Sequence, residues 1–214
     1  MDKTKKDLIP ILFFIIILPV LLFVKRPVTE SMLMGQIEAP PESTALPWPL
    51  PDGESREKLL TFGMHVTPDP NSNPIMPPER FTGYHTALDL EIFENEIDAV
   101  VPVSTICTGD IVFTGSVEGY GGVIIQACVI DNKDVRVLYG HLDFTSFQVT
   151  TDSRAVEAET IIAELGDERS AESGHTRKHL HLGIHKGAEI EFLGYVQTEA
   201  ELQNFIDPLP LFTQ

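Results

Sequence analysis

The stretch Lys178–Lys186, KHLHLGIHK, decides the fold class, because its apolar and polar residues alternate with a period of two. Such alternation predicts a β-strand whose two faces differ in character. His179 and His181 would project from the same face, within reach of one shared ion or water. A buried pair of imidazoles without a ligand is costly to desolvate. The stretch therefore predicts both a strand and a site.

Similar β-rich runs, separated by Gly, Asn and Asp, continue on the N-terminal side of this strand. They are EIDAVVPVSTICTG (96–109), DIVFTG (110–115), GGVIIQACVI (121–130) and VRVLYGHL (135–142). Helix signals are few, and the best is TEAELQNFI (198–206), where Thr198 caps a short helix with Glu201 three residues on. The pattern predicts one mainly β domain over residues 58–209.

The composition excludes one class of partner. The 214 residues carry 15 Lys and Arg against 32 Asp and Glu, a formal net charge of −17. Phosphate backbones would repel such a chain, so binding to nucleic acid through a basic surface is excluded. The hydrophobic share of 43% is that of a folded protein.

The N-terminal region predicts a membrane anchor. Leu8–Val24 is uncharged and spans roughly 26 Å as a helix, close to the thickness of a bilayer core. The lysines before it predict a cytoplasmic stub (1–7), a transmembrane signal-anchor (8–24) and an extracytoplasmic C-terminal domain at the cytoplasmic membrane of a bacterium. A cleaved signal peptide is the alternative. Residues 25–57 are rich in proline and predict an extended linker, with Trp48 as a linker aromatic.

The two cysteines predict a disulfide. If Gly115 pairs opposite Tyr120 in a hairpin, facing residue numbers sum to 235, and Cys107 then faces Cys128. An extracytoplasmic location favours oxidation. Two buried free thiols are the alternative, since a slip of one residue in register would place the cysteines on opposite faces.

His85 and Asp89 in GYHTALDL add a second pair of metal-binding side chains, four residues apart. An imidazole and a carboxylate at that spacing converge on one divalent ion across a tight bend. Two histidines and one carboxylate, with the fourth position left to water, are the composition of a catalytic zinc site. Cysteine is too scarce here for a structural one.

Three motifs together carry a resemblance to a known family: HTALD (85–89), YGHL (139–142) and HLH (179–181). In this order they resemble the signature of the lysostaphin-type, LytM-like zinc metallopeptidases, which cleave the peptide part of bacterial cell walls. The likeness covers about residues 58–187. It implies an antiparallel two-sheet β domain with a substrate groove, known as the duplicated hybrid motif fold. It also implies one zinc per chain held by His85, Asp89 and His181, with His141 and His179 as catalytic histidines.

The sequence departs from the family pattern near the site. Ala87 stands where glycine is usual, and Arg177 and Lys178 stand where glycine and proline commonly precede the HLH motif. No predicted ligand is replaced. The long polar loop 166–178 puts the substrate preference in question, and His65 is expected to line the groove. His175 and His185 are expected to have no role in the site.

The resemblance implies a zinc endopeptidase that hydrolyses peptide bonds in peptidoglycan, and the uncharged N-terminal run adds the membrane anchor. A regulatory partner in the envelope is a further expectation. The scissile bond and the assignment of acid and base between His141 and His179 stay open. A module of the same fold that activates or scaffolds a hydrolase without cleaving is the main alternative. A cupin-like oxygenase site is a third reading, but it leaves HTALD and YGHL unexplained.

Overall fold

The computed structural model describes residues 45–213. The predicted stub, the predicted membrane segment and residues 25–44 of the predicted linker lie outside the described residues. No helix within the described part is long and apolar enough to cross a membrane. The strands are β1 (His65–Val66), β2 (Gly83–His85), β3 (Ala87–Glu91), β4 (Pro102–Ser104), β5 (Gly109–Val117), β6 (Gly121–Ile130), β7 (Lys133–Leu142), β8 (Ile161–Glu164), β9 (His179–Lys186) and β10 (Tyr195–Val196).

Helical structure in the described part is limited to short 3-10 turns. They are Gly53–Ser55, Glu94–Glu96, Glu199–Asn204 and Leu209–Leu211. The turn at Glu199 begins after Thr198, whose backbone N–H donates to Glu201 Oε2 over 2.8 Å. The predicted helix start at Thr198 is therefore confirmed, although the helix is a 3-10 helix of six residues.

The strands form antiparallel sheets. A five-stranded sheet has the order β3-β9-β7-β6-β5, a three-stranded sheet has the order β1-β2-β10, and β4 pairs with β8. The predicted mainly β, antiparallel class is confirmed. The described residues form three sheets rather than the expected two, because β4 and β8 pair separately from the five-stranded sheet.

Strand β9 separates the core from the site, as its alternation predicts. Leu180, Leu182 and Ile184 are fully buried in the main hydrophobic core. Burying such a side chain contributes about 1.5–3 kcal/mol. His179 and His181 occupy the alternate positions, on the face that a smaller apolar cluster around Tyr120 also covers. Both faces are covered, so burial along β9 is nearly continuous.

Residues 45–57 pack against the domain, which corrects the interpretation of Trp48 as a linker aromatic. The Trp48 ring stacks on Phe212 with 4.4 Å between ring centroids, and Leu50 is 2% exposed. The Arg56 guanidinium forms a two-pronged ion pair with Glu96. Apolar burial and this pairing hold the segment in place, so the folded unit begins before the predicted boundary at residue 58.

The β5–β6 hairpin corrects the predicted register. Gly115 pairs with Val123 rather than with Tyr120, because both strands continue to a tighter turn that joins Val117 to Gly121. A register shift between Ile111 and Phe113 then changes the alignment again. Cys128 consequently faces Gly109 across the ladder.

The disulfide between Cys107 and Cys128 is nevertheless present, with 6.2 Å between the Cα atoms. Cys107 lies just before β5, where the chain has left the ladder and bends back toward β6. The predicted bond is thus confirmed, while the cross-strand pairing from which it was predicted is wrong.

Reducing this disulfide should lower stability without affecting the site. The cysteines are 21 residues apart, and a loop of this size stabilises the native state by about 3 kcal/mol. For a domain of this size the loss corresponds to a melting temperature roughly 6–12 °C lower. Calorimetry of the protein before and after reduction measures the shift. Two titratable thiols in unreduced, denatured protein would contradict the bond.

Candidate active site

His85, Asp89 and His181 form a buried triad whose ligand atoms converge. His85 ends β2, Asp89 lies in β3 and His181 lies in β9. Asp89 Oδ1 lies 3.2 Å from His85 Nε2 and 3.1 Å from His181 Nδ1, and the two ring nitrogens are 3.2 Å apart. The register of β3 with β9 sets this geometry by pairing Asp89 directly with His181. The structure therefore brings together all three predicted metal ligands.

The donor atoms of this triad fit a divalent metal ion. The remaining ring nitrogen of His85 lies 3.3 Å from the Thr61 carbonyl, and that of His181 lies 3.2 Å from the Tyr120 hydroxyl. The Thr61 carbonyl can only accept, so the proton of His85 lies on Nδ1 and Nε2 keeps its lone pair. The Tyr120 hydroxyl can accept from His181 Nε2–H, the tautomer in which His181 Nδ1 also offers a lone pair to a metal. One carboxylate and two neutral imidazoles match the ligand set of catalytic zinc sites.

His141 and His179 lie side by side next to the triad, with 4.4 Å between their ring centroids. His141 Nδ1–H donates to the carbonyls of Tyr120 and Ser173, over 3.0 and 2.9 Å. His179 Nδ1–H donates to the Arg177 carbonyl over 2.9 Å. Both rings therefore carry their proton on Nδ1. His141 Nε2 is therefore left to accept a proton, while His179 Nε2 lies 3.2 Å from Asp89 Oδ2.

The backbone of His141 is in the left-handed region, with φ at 63°. This conformation is uncommon for a residue other than glycine, and such outliers cluster at functional sites. At His141 it turns the side chain out of the end of β7, where the register with β6 also shifts between Gly122 and Val123. The neighbouring Leu142 remains fully buried in the core.

The electrostatics favour an ionised Asp89 together with neutral His141 and His181. Burial opposes the charge of Asp89, but His85 and His179 hold the pKa of this carboxyl well below its usual range. Burial lowers the pKa of His181 to about 4 and that of His141 well below its ordinary value. At neutral pH these are the protonation states that metal binding requires of a carboxylate and an imidazole.

These shifts predict how acid affects the metal-free protein. Between pH 6.5 and about 4, the unfolded chain binds a proton at His181 that the native protein does not. Stability should therefore be full above pH 6.5 and fall as the pH decreases through this window. Each unit of pKa shift is worth about 1.4 kcal/mol, so we expect the melting temperature to fall by at least about 5 °C. Thermal melts at several pH values, with a chelator present, measure this decrease. A melting temperature that does not change with pH in this window would contradict the prediction.

A cleft of about 510 Å³ opens in front of the histidines. His141, His179 and His181 line its floor, together with Asp89. Its other lining residues are Glu79, Arg80, Phe81, Thr82, Glu118, Gly119, Tyr120, Thr176, Phe192, Leu193, Gly194, Tyr195 and Gln197. Segments 79–82, 118–120 and 192–195, together with Thr176 and Gln197, thus surround the polar groups of the site.

The other histidines are not part of this cleft. His65 is exposed on β1, with its ring edge against Tyr84, so the expectation that it lines the groove is wrong. His175 is exposed, and His185 packs its ring against Phe205. Both lie outside the group of histidines around Asp89, as expected.

Sequence reasoning missed Tyr120, whose hydroxyl contacts His181. The ring fits there because Gly140 has no side chain, and a Cβ at that position would lie 2.7 Å from the Tyr120 ring. Burial raises the pKa of Tyr120, so the hydroxyl stays protonated. The available signal was the motif EGYGG (118–122), in which a lone aromatic stands between glycines.

Comparisons with known proteins agree with this geometry. The structure is similar to the catalytic domain of the antimicrobial peptidase lysostaphin from Staphylococcus simulans, with 20% identity, a TM-score of 0.50, and 75% of this chain and 95% of that chain covered. It is also similar to a chain from the SpoIIQ–SpoIIIAH pore-forming complex, with 15% identity, a TM-score of 0.52, and 79% and 92% covered. At these identities the likeness establishes a shared fold. A search of curated proteins found no match.

The family assignment comes from the sequence itself. The model of Peptidase family M23 matches residues 83–192, just over half of the chain. This range contains every residue of the triad and both neighbouring histidines, and the resemblance predicted from the motifs is confirmed. The chain therefore belongs to peptidase family M23.

Proposed function

We propose that this protein is a zinc-dependent endopeptidase that hydrolyses peptide bonds in peptidoglycan. The observation that supports this most directly is the convergence of His85, Asp89 and His181 beside two further histidines whose Nδ1–H groups donate to backbone carbonyls. A site used only for structure needs the ligands but not the second pair. Membership of the M23 family supports a peptide substrate, and the resemblance to lysostaphin-type enzymes supports the cell wall as its source.

His85 Nε2, Asp89 Oδ1 and His181 Nδ1 would hold the zinc. When bound, zinc lowers the pKa of a coordinated water and polarises a carbonyl oxygen. Asp89 contributes its negative charge and a fixed oxygen position, because its pKa is held well below the usual range. His181 stays neutral, and its Nε2–H donates to Tyr120 Oη over 3.2 Å.

His141 and His179 move the protons in this proposal. Each has its Nδ1–H held by a backbone carbonyl, so each accepts or donates a proton at Nε2. Burial lowers the pKa of His141, so this ring is neutral at neutral pH and can accept a proton. One ring takes the proton of the attacking water, and the pair delivers it to the leaving amine. The acid and base roles within the pair are left open.

Tyr120 supplies a further donor in the same step. Its oxygen accepts from His181 Nε2–H, which leaves its own O–H to point into the cleft that the residue lines. A preorganised donor near the reacting carbonyl stabilises the developing oxyanion. We assign this role to Tyr120 alongside the protonated form of His141 or His179.

The proposed location is the outer face of a bacterial cytoplasmic membrane. It rests on the uncharged run Leu8–Val24 with lysines on both sides, and on the acidic domain that follows. The Cys107–Cys128 disulfide is consistent with an oxidising compartment. Fractionation of cells followed by N-terminal sequencing tests the anchor.

Hydrolysis is tested with the full chain in detergent. Zinc-loaded protein is incubated with purified sacculi, and the released fragments are identified by mass spectrometry. We expect new peptide amino termini that appear with wild type and disappear with a chelator. A His65→Ala variant, altered at an exposed histidine outside the cleft, is the matched control and should retain full activity. The absence of fragments from zinc-loaded protein would contradict the proposal.

A non-cleaving module in an envelope complex is the second candidate. It is favoured by the similarity in fold to a chain of the SpoIIQ–SpoIIIAH pore-forming complex. The same incubation separates the two candidates. A scaffold would be retained on sacculi without releasing fragments, and its site would tolerate replacement of His141 and His179.

A further inference from the structure

Arg177 connects the predicted metal site to two outer carboxylates. Its guanidinium contacts Asp89 Oδ2 over 2.6 Å, Glu79 Oε1 over 2.9 Å and the Glu91 carboxylate over 3.0 and 3.1 Å. The side chain is only 22% exposed. Each terminal nitrogen of the fork, and Nε, has its own acidic partner. Such multiple pairing is specific to arginine, since lysine offers one compact ammonium.

The two oxygens of Asp89 have separate partners. Oδ1 faces His85 Nε2 and His181 Nδ1, while Oδ2 faces Arg177 and His179 Nε2, the latter over 3.2 Å. A carboxylate free to rotate would present both oxygens to a metal in turn. With Oδ2 held by the guanidinium, only Oδ1 points into the triad.

The main chain of Arg177 acts on the second half of the site. Its carbonyl oxygen accepts the Nδ1–H of His179 over 2.9 Å. One residue therefore fixes the orientation of a predicted metal ligand through its side chain and of a predicted catalytic ring through its backbone. Glu91, which pairs with the Arg177 side chain, also lies opposite His179 in the β3–β9 ladder. The ladder therefore fixes the position of Glu91 relative to His179.

We propose that Arg177 is a positioning residue, which binds Asp89 Oδ2 so that this carboxylate offers one oxygen to the metal. The inference rests on the metal site of the proposed function. It concerns this chain in particular, because Arg177 stands where the family commonly has glycine. Partners that orient metal ligands typically contribute 10–100-fold to metal affinity.

Zinc affinity distinguishes positioning from simple charge. The full chain is stripped of metal and titrated with zinc against a chromophoric chelator, as wild type, Arg177→Gln and Arg177→Lys. If only charge mattered, Arg177→Gln would bind zinc more tightly, because a cation near the metal is removed, and Arg177→Lys would be unchanged. Positioning predicts weaker binding in both, with the dissociation constant raised by about 10–100-fold.

A second readout reports the coordination itself. Cobalt(II) in place of zinc has a visible spectrum that depends on coordination geometry. We expect both variants to show an altered band, because Asp89 is free to bind through both oxygens. Arg169→Gln is the matched control. Arg169 lies in the same loop and is 68% exposed, and its ion pair is with the adjacent Glu168, so both readouts should be unchanged.

Circular dichroism tests whether each variant is folded. If Arg177→Gln is unfolded, the zinc affinity of Arg177→Lys decides the result. A dissociation constant raised at least tenfold supports the proposal, and a smaller rise or a decrease overturns it. The outcome is independent of hydrolysis. Wild type that binds zinc without cleaving peptidoglycan would refute the proposed function and leave the role of Arg177 testable.

Discussion

The variant His181→Ala should lose zinc binding and with it all hydrolysis above the level of the chelated wild type. His181 Nδ1 is one of three ligand atoms, and its loss leaves His85 and Asp89 to hold the ion. At a zinc concentration a thousandfold above its dissociation constant, the metal should stabilise wild type by about 4 kcal/mol. His181→Ala should gain no stabilisation. Melting temperatures with zinc and with chelator measure the difference.

The matched comparison is the variant His179→Ala, altered two positions earlier on the same strand face. His179 contacts Asp89 Oδ2 but is outside the converging ligand set. Its zinc-dependent stabilisation should therefore persist. If His179→Ala lost the metal as readily as His181→Ala, the ligand assignment would be wrong.

Local patterns in the sequence predicted the strand that carries the site. The alternation in β9 places Leu180 and Leu182 in the core and His179 and His181 on the other face. Which residues share a face depends only on the two-residue period of side chains along a strand. The convergence with Asp89 needed the family motifs, because Asp89 lies 92 residues away along the chain.

The strand register and the contacts between distant residues could not be predicted from the alternation of apolar and polar residues. The β5–β6 alignment depends on the exact turn at Val117 and on one irregularity between Ile111 and Phe113, and either changes which residues face each other. The disulfide forms because the chain before β5 bends, which no alternation encodes. Trp48 likewise packs against the core through its stacking on Phe212, a residue distant in the sequence.

The side chains that support the site also could not be predicted from local sequence patterns. Arg177 was visible only as a departure from the family pattern, since its partners Glu79 and Glu91 are 98 and 86 residues away. Tyr120 reaches His181 only because Gly140 on a neighbouring strand leaves space for its ring. Ligands are recognisable from their residue type and spacing, whereas their supporting contacts depend on the assembled sheet.

Replacing His141 should remove catalysis and leave the metal bound. We choose His141→Asn, because the backbone there has a positive φ that asparagine tolerates better than alanine. The ring of His141 lies 6.0 Å from that of His181 between centroids, and the residue is outside the ligand set. General acid–base groups contribute about 10²–10⁴-fold, so we expect a loss of hydrolysis in this range with one zinc retained per chain.

The pH dependence of the residual activity makes this prediction specific to proton transfer. Burial lowers the pKa of His141, so we expect the wild-type rate to fall on the acidic side as His141 becomes protonated, and His141→Asn should flatten this acidic limb. His175→Asn is the control, since His175 is exposed and shares the positive φ of His141. Metal analysis and peptide release are measured on the same samples. Full activity in His141→Asn, or a loss of activity that follows a loss of zinc, would contradict a role for His141 in moving the proton.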